Sequence, residues 1–284
     1  MKKIIITGAS GFIGRELQHF LVKKDYEVKA YSSKNGDISL EKTWQKMEKV
    51  NVVIHLAGMT SVSDSWLNCQ EFLRVNSLSL INAINYCIKN NSRLIFLSSF
   101  IYDIKNKNPI DEYAIKNPQN PYALSKKIGE EILEFYKKVD NLDVIILRPF
   151  NVFGFGQKKN FLIPTIIDQI MQKDKITVMD IKPRRDYIFV RDLVKAVEKT
   201  INYDGEYSVF NIGSGKSYSV SEVIEEIQKI LNTNLFVECS RKPRKMEINE
   251  TIADISLAKK ELDWKPEYDF RSALKEIIDL YHKK

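Results

Sequence analysis

Tyr122 and Lys126 stand four residues apart in the stretch PYALSKKIGE, Pro121 to Glu130. On an α-helix that spacing puts both side chains on one face, one turn apart. Such pairs also occur on many solvated helix faces, so the rest of the chain has to show whether this one does chemistry. The chemistry would be proton transfer. A free tyrosine has a pKa of about 10, and bringing it near 7 needs roughly 4 kcal/mol in favour of the phenolate. An ammonium ~4 Å away, at an effective dielectric of ~20, supplies about that much. Asn120-Pro121 reads as an N-cap followed by the first helical residue, which sets Tyr122 at the positive end of the helix.

A second constellation could hold a cofactor. TGASGFIG carries Gly8, Gly11 and Gly14 in the spacing G-x-x-G-x-x-G, directly after a first apolar run. Glycines there permit a tight turn and let backbone N–H groups approach a pyrophosphate at a helix N-terminus. The end of the second strand chooses the dinucleotide. An acid at that place grips a ribose 2′-hydroxyl, whereas a 2′-phosphate wants a cation and no acid. The chain has Tyr31-Ser32-Ser33-Lys34, which favours NADP(H), with NAD(H) as the alternative. Lys34 reads almost as well as a solvated loop residue.

These groups need a scaffold. IIIT (Ile4–Thr7), VKAY (Val28–Tyr31), VVIHLA (Val52–Ala57), LIFLS (Leu94–Ser98) and VIILRP (Val144–Pro149) are near-continuous apolar runs. Strands buried on both faces of a parallel sheet have this composition. Helical patterns fall between them, at Ile13–Lys24, Ser65–Lys89 and Tyr122–Val139. The alternation predicts an α/β fold, a doubly wound parallel Rossmann sheet with a smaller C-terminal substrate-binding lobe. Residues 1–151 are expected to form the dinucleotide-binding domain, with 186–212 weaving back into it, and 152–284 the smaller lobe.

Composition excludes other classes. The chain has 284 residues, 44% of them hydrophobic and 29% charged, as in ordinary globular proteins. No stretch approaches the ~18 apolar residues of a membrane helix, and the N-terminal apolar run is shorter than a signal peptide's core of about 7–15 residues. Cys69, Cys87 and Cys239 are odd in number and widely spaced, which suggests reduced thiols and a cytoplasmic location. The net charge of +7 is spread over helical segments, and the local run RKPRK (Arg241–Lys245) lacks the interleaved aromatics of a nucleic-acid site. Neither a nucleic-acid nor a membrane partner is expected.

Taken in order, TGASGFIG, HLAG (His55–Gly58), LSS (Leu97–Ser99), Tyr122-x-x-x-Lys126, RPFNVFGFGQ, RRDYIFVRDL, NIGSG and ADISLAKKELDWKP cover nearly the whole chain. The set resembles the extended branch of the short-chain dehydrogenase/reductase superfamily, the nucleotide-sugar epimerases, dehydratases and reductases. The resemblance implies that Tyr122 is the general acid–base, that Lys126 tunes it and holds the cofactor ribose, and that a serine binds the reacting oxygen. It places that serine four residues before a closing tyrosine, here Tyr102, which selects Ser98; Ser99 is the fallback if the register slips by one. Cofactor contacts are implied for Gly8, Ser10, Gly11, Phe12, Ile13, Gly14, Ser32, Ser33, Lys34, Asp37, Ile38, Leu56, Ala57, Gly58, Asn76 and Pro149, together with Tyr122 and Lys126.

For a nucleotide-diphosphate sugar substrate the resemblance implies contacts from Ser98, Ser99, Asn151, Arg185 and Arg244. Arg185 also reads as an ion-pair partner of Asp186 or Asp192, and Arg244 as part of a solvated loop. No metal is implied. Family dehydratases carry Asp-Glu directly after the catalytic threonine; Ser99-Phe100 stands there, and phenylalanine cannot move a proton. The missing acid on the second strand favours an NADPH-linked reduction at C4 of a 4-keto-6-deoxy sugar over an NAD-linked 4-epimerase, with a non-catalytic dinucleotide-binding relative as the remaining alternative. Two departures, Tyr102-Asp103 for Tyr-Gly and Gly154-Phe155-Gly156 for Gly-Pro-Gly, concern loop shape near the substrate. The family likeness also implies a homodimer through a four-helix interface built from Ser65–Lys89 and Tyr122–Val139, with Leu73, Leu80 and Ile84 as an apolar stripe that could equally face the protein's own core.

Overall fold

The computed structural model describes residues 1–102, 107–240 and 248–283. Eleven strands follow in chain order among these residues: β1 (Lys3–Thr7), β2 (Glu27–Tyr31), β3 (Val52–His55), β4 (Arg93–Leu97), β5 (Val144–Pro149), β6 (Asn151–Phe153), β7 (Lys175–Val178), β8 (Arg184–Phe189), β9 (Val209–Ile212), β10 (Ser217–Ser219) and β11 (Phe236–Cys239). Six of them form one sheet in the order β2-β1-β3-β4-β5-β9, with every pairing parallel. The fold is a doubly wound Rossmann sheet, as the alternation of apolar runs and helical patterns predicts.

Period-two alternation sends successive side chains of the central strands to opposite faces. In β4, Ile95 and Leu97 pack with Leu17, Leu21, Val194 and Val197 from the helices Phe12–Lys23 and Val190–Ile201. Leu94 and Phe96 face the other way, onto Leu80, Ile84 and Leu133 from the helices Ser79–Asn90 and Pro121–Val139. With both faces covered, the central strands have to be continuously apolar. β2 is at the edge, and its EVKAY is only partly buried.

The chain order turns around between β1 and β3, since β2 lies on one side of β1 and β3 on the other. At such a switch point the loops leaving the carboxyl ends diverge and leave a crevice. A second core, built on Phe153, Ile166, Phe189, Ile224, Phe270 and Ile277, lies under two small sheets, β10-β8-β6 and β11-β7. Of the stretch 186–212, β9 joins the large sheet and the Val190–Ile201 helix packs on the Phe12–Lys23 helix, whereas β8 stays in the small sheet.

One element departs from expectation. Ser65–Lys89 is not a single helix but Val62–Leu67, Cys69–Leu73, a π-helical turn Arg74–Leu78, and Ser79–Asn90. Asn68, at φ −131° and ψ 42°, breaks the first pair. In the π turn the Asn76 carboxamide bonds both backbone groups of Met59 and the Ser125 hydroxyl, ties that reach across to other elements. Leu80 and Ile84 are fully buried in the chain's own core, so the expected apolar stripe is not a free surface. All three cysteines are free thiols. Among the described residues no helix is long and apolar enough to cross a membrane, and no group of His, Cys, Asp or Glu gathers to hold a metal ion.

Candidate active site

A cleft of about 980 Å³ opens at the switch point and is walled by both parts of the chain. Its floor at one end is the glycine loop. Gly8 has φ +70°, and a Cβ there would lie 2.8 Å from the Ala57 nitrogen; a Cβ on Gly14 would lie 2.3 Å from the Gly8 carbonyl oxygen. Only glycine lets β1, its loop and the following helix pack this closely. That helix starts after Gly11 with no side-chain cap and no acid in its first turn. Its first N–H groups and dipole are therefore available to an anion. The cradle fits a dinucleotide pyrophosphate.

Ser10, Gly11, Phe12, Ile13 and Gly14 all line the cleft, as do Ser32, Ser33, Asp37 and Ile38. Lys34 does not. It is exposed in a 3₁₀ turn (Ser33–Asn35) capped by the Ser32 hydroxyl, off the cleft wall. The cations that do line the wall are Arg15, Arg74, Lys126 and Lys158. Arg15 donates to the Ser10 carbonyl over 2.7 Å and to the Gly156 carbonyl over 3.3 Å, joining the glycine loop to the loop after β6. Arg74 pairs with Glu71 at 2.7 Å and Asp37 at 3.5 Å. Hydrogen bonds from the Ser39 amide and hydroxyl, with Arg74, hold the Asp37 carboxyl below its ordinary range.

Further in, Leu56, Ala57, Gly58 and Pro149 form the wall. Asn76 stands behind it, 3% exposed, and holds Met59 from the back. Asn76, expected among the cofactor contacts, is not on the cleft wall; its carboxamide supports the loop after β3.

Asn120 and Pro121 cap the Pro121–Val139 helix as the sequence implies, with Asn120 Oδ1 accepting from the Ala123 amide at 2.8 Å. Tyr122 and Lys126 both face the cleft. Lys126 is 4% exposed; its ammonium donates to the Leu97 carbonyl over 2.8 Å and lies 4.7 Å above the Phe96 ring. Burial pushes it down to about 8, with the Glu130 carboxylate opposing. Burial also raises the Tyr122 phenol, and a hydrogen bond with the Ser99 hydroxyl offsets part of that rise. The expected acidified phenol is thus not found in the chain by itself. The ammonium points at Leu97, and desolvation disfavours the charged form of both groups.

Both serines line the cleft. Ser98 donates its hydroxyl proton to Glu130 Oε1 over 2.6 Å, which leaves its oxygen lone pairs to accept. Ser99, the next residue, is the serine whose hydroxyl offsets part of the rise on Tyr122.

At the far end, Asn151 lines the cleft and donates to the Asp186 carbonyl at 3.1 Å. Arg185 is off the wall and donates to the backbone carbonyls of Arg184 and Ile248. The Asp186 and Asp192 carboxylates accept backbone N–H groups, Asp186 from Ser214, Gly215 and Ala253 and Asp192 from Glu267 and Tyr268. Arg244 lies outside the described residues. Phe100 lines the wall and stacks on Phe150 with centroids 5.4 Å apart.

The family model for the NAD dependent epimerase/dehydratase family matches residues 4–213. The chain belongs to that family. It is 30% identical to a putative UDP-glucose 4-epimerase of Methanocaldococcus jannaschii, over 97% of each chain. It is 28% identical to the GDP-6-deoxy-D-mannose reductase of Pseudomonas aeruginosa, over 98% of this chain and 96% of the relative. The structure of RMD from Pseudomonas aeruginosa complexed with NADPH superposes with a TM-score of 0.92 at 26% identity, over 100% of this chain and 99% of that one. The chain is an NAD(P)-dependent enzyme of a family whose members oxidise, reduce and epimerise nucleotide sugars.

Within this family member, sequence reading missed Arg15 and Arg74 on the cleft wall. Arg15 directly follows the third motif glycine and so carried a local signal. Arg74 comes from a distant turn, and no spacing in the sequence announces that the two meet. Gln157, Lys158 and Phe161, also on the wall, belong to the loop 153–161 that the sequence marks as shaping the sugar site.

Proposed function

We propose that this protein uses NADPH to reduce the C4 carbonyl of a nucleotide-linked 4-keto-6-deoxy sugar. One observation carries the reading: the Tyr122 phenol faces the same cleft of about 980 Å³ as Ser98, Ser99 and Lys126. Bound nicotinamide dinucleotide supplies the hydride. Tyr122 delivers its proton to the reacting oxygen as that oxygen gains charge, and Ser99 donates a hydrogen bond to the same atom. A phenol kept protonated by burial suits an acid in the reductive direction. Lys126 holds the cofactor ribose and stabilises the phenolate left after transfer. Phe100 and Phe150 offer an apolar wall where a proton-transferring acid would otherwise stand, which supports reduction over dehydration.

Asn151 and Arg244 are assigned to the sugar-nucleotide diphosphate, and the part after residue 151 to substrate binding. Arg185 is given the task of anchoring Ile248, a cleft-wall residue. Cytoplasmic location and a homodimer belong to the same reading. Leu124, Phe135 and Val139, between 39% and 58% exposed, share one face of the Pro121–Val139 helix and suit a subunit contact.

A 4-epimerase is the second reading. The relative named a putative UDP-glucose 4-epimerase and the position of Lys34 off the wall favour it. Purified protein incubated with 4-keto-6-deoxy sugar nucleotides and NADPH distinguishes the two. Stoichiometric NADPH consumption with formation of the C4 alcohol supports reduction. NAD carried through purification, with UDP-sugar interconversion and no added cofactor, supports epimerisation.

A further inference from the structure

Tyr122 and Lys126 are followed, one turn later on the same helix, by a third buried polar group. Glu130 is 0% exposed. Its carboxylate accepts from Ser98 Oγ at 2.6 Å, from Arg148 Nε at 2.8 Å and from Arg148 Nη2 at 2.6 Å, and Lys116 Nζ lies 3.6 Å from its second oxygen. Arg148, on β5 and 2% exposed, also donates to the Tyr102 hydroxyl and the Glu112 carbonyl. The peptide between Leu97 and Ser98 is thereby held from three sides. Lys126 binds the Leu97 carbonyl, the Leu147 carbonyl takes the Ser98 amide at 2.8 Å, and Glu130 takes the Ser98 hydroxyl.

We propose that Glu130, fixed by Arg148, is a positioning residue of the active site: it locks the Ser98 turn that presents Ser99 to the cleft Tyr122 lines, and it holds a negative charge one helical turn from Lys126. This rests on the reading that Tyr122, Lys126 and Ser99 do the chemistry. A fully buried ion pair is weak support for stability, because two well-packed apolar residues usually serve as well. An apolar pair could neither accept the Ser98 hydroxyl nor oppose the desolvation of Lys126. The other charged or titratable groups around Lys126 do not replace it. His55 on β3 is neutral, pushed down to about 3 by burial and by Lys126 itself; Tyr122 is held protonated by burial; Arg148 and Lys116 are cations that share Glu130.

The test has two arms. In protein labelled at lysine, with Lys126→Arg identifying the signal, NMR should show the Lys126 titration, near pH 8 in the parent, moving down by about one pH unit or more in Glu130→Gln and staying in place in Ser98→Ala. In steady-state assays Ser98→Ala should lose about tenfold in kcat with KM and cofactor Kd unchanged, and Ser98→Thr should recover most of the loss. A merely structural role would lower Tm and move neither readout. An unmoved titration in Glu130→Gln, or wild-type kcat in Ser98→Ala, overturns the proposal. Should Glu130→Gln fail to fold, Ser98→Ala decides alone, since it keeps both charges. A chain that turns over no sugar nucleotide defeats the proposed function, while the NMR arm still decides the role of Glu130.

Discussion

The Lys126 ammonium donates to the Leu97 carbonyl across 2.8 Å, tying the helix that carries Tyr122 to the end of the strand that presents Ser99. Both sides of the reacting centre are thereby set by one buried cation. Its charge state should control the rate. With reduction requiring a protonated Tyr122 and a charged Lys126, kcat/KM should fall as pH rises through about 8, where Lys126 in the free protein loses its proton. A pH profile that stays flat to pH 9.5 would remove Lys126 from the mechanism.

Tyr122→Phe should lower kcat by roughly 100- to 10,000-fold, the range of a lost general acid. Cofactor Kd, measured by fluorescence titration, should change by less than about threefold, because the ring and its edge contact with Phe72 are retained. Ser99→Ala should cost about 100-fold in kcat, as for a lost oxyanion donor.

Cofactor choice is testable at the end of β2. Ser33 lines the cleft where an acid would repel a 2′-phosphate. Ser33→Asp should shift the kcat/KM ratio of NADPH to NADH at least tenfold towards NADH, about 1.4 kcal/mol. Equal use of both cofactors by the parent protein would end the preference for NADPH.

Gly14→Ala would bring a Cβ to 2.3 Å from the Gly8 carbonyl oxygen. Backbone must move to relieve it, at a cost of about 1–3 kcal/mol. Thermal unfolding should show the lower Tm, and calorimetric titration a dinucleotide Kd weakened tenfold or more.

His55 gives a stability prediction with a definite sign. It is buried between Thr7 and Ser79, and burial lowers it from the ordinary 6.5 to about 3. The unfolded chain therefore binds a proton between those values that the folded chain refuses. Stability should fall as pH drops from about 6.5 towards 3, by up to about 5 kcal/mol from this group. His55→Gln, compared by urea unfolding across that range, should flatten the slope.

The features legible in the amino-acid order are local in origin. Strand and helix alternation, the glycine turn, the Asn120-Pro121 cap and the shared face of Tyr122 and Lys126 all follow from backbone geometry over a few residues, and each can be read from spacing. The tertiary structure decided what depends on groups far apart in the chain. It bonded the Ser98 hydroxyl to Glu130 because Glu130 and Arg148, 32 and 50 positions further on, present a buried charge pair there. It carried Lys34 off the wall on a short 3₁₀ turn and brought Arg74 in from the turn after Leu73. It placed Asn76 behind the cofactor loop, because the π turn lets its amide reach Met59 and Ser125. A motif fixes which residue types meet a ligand. What else those residues bond is set by packing and by the need to satisfy every buried charge.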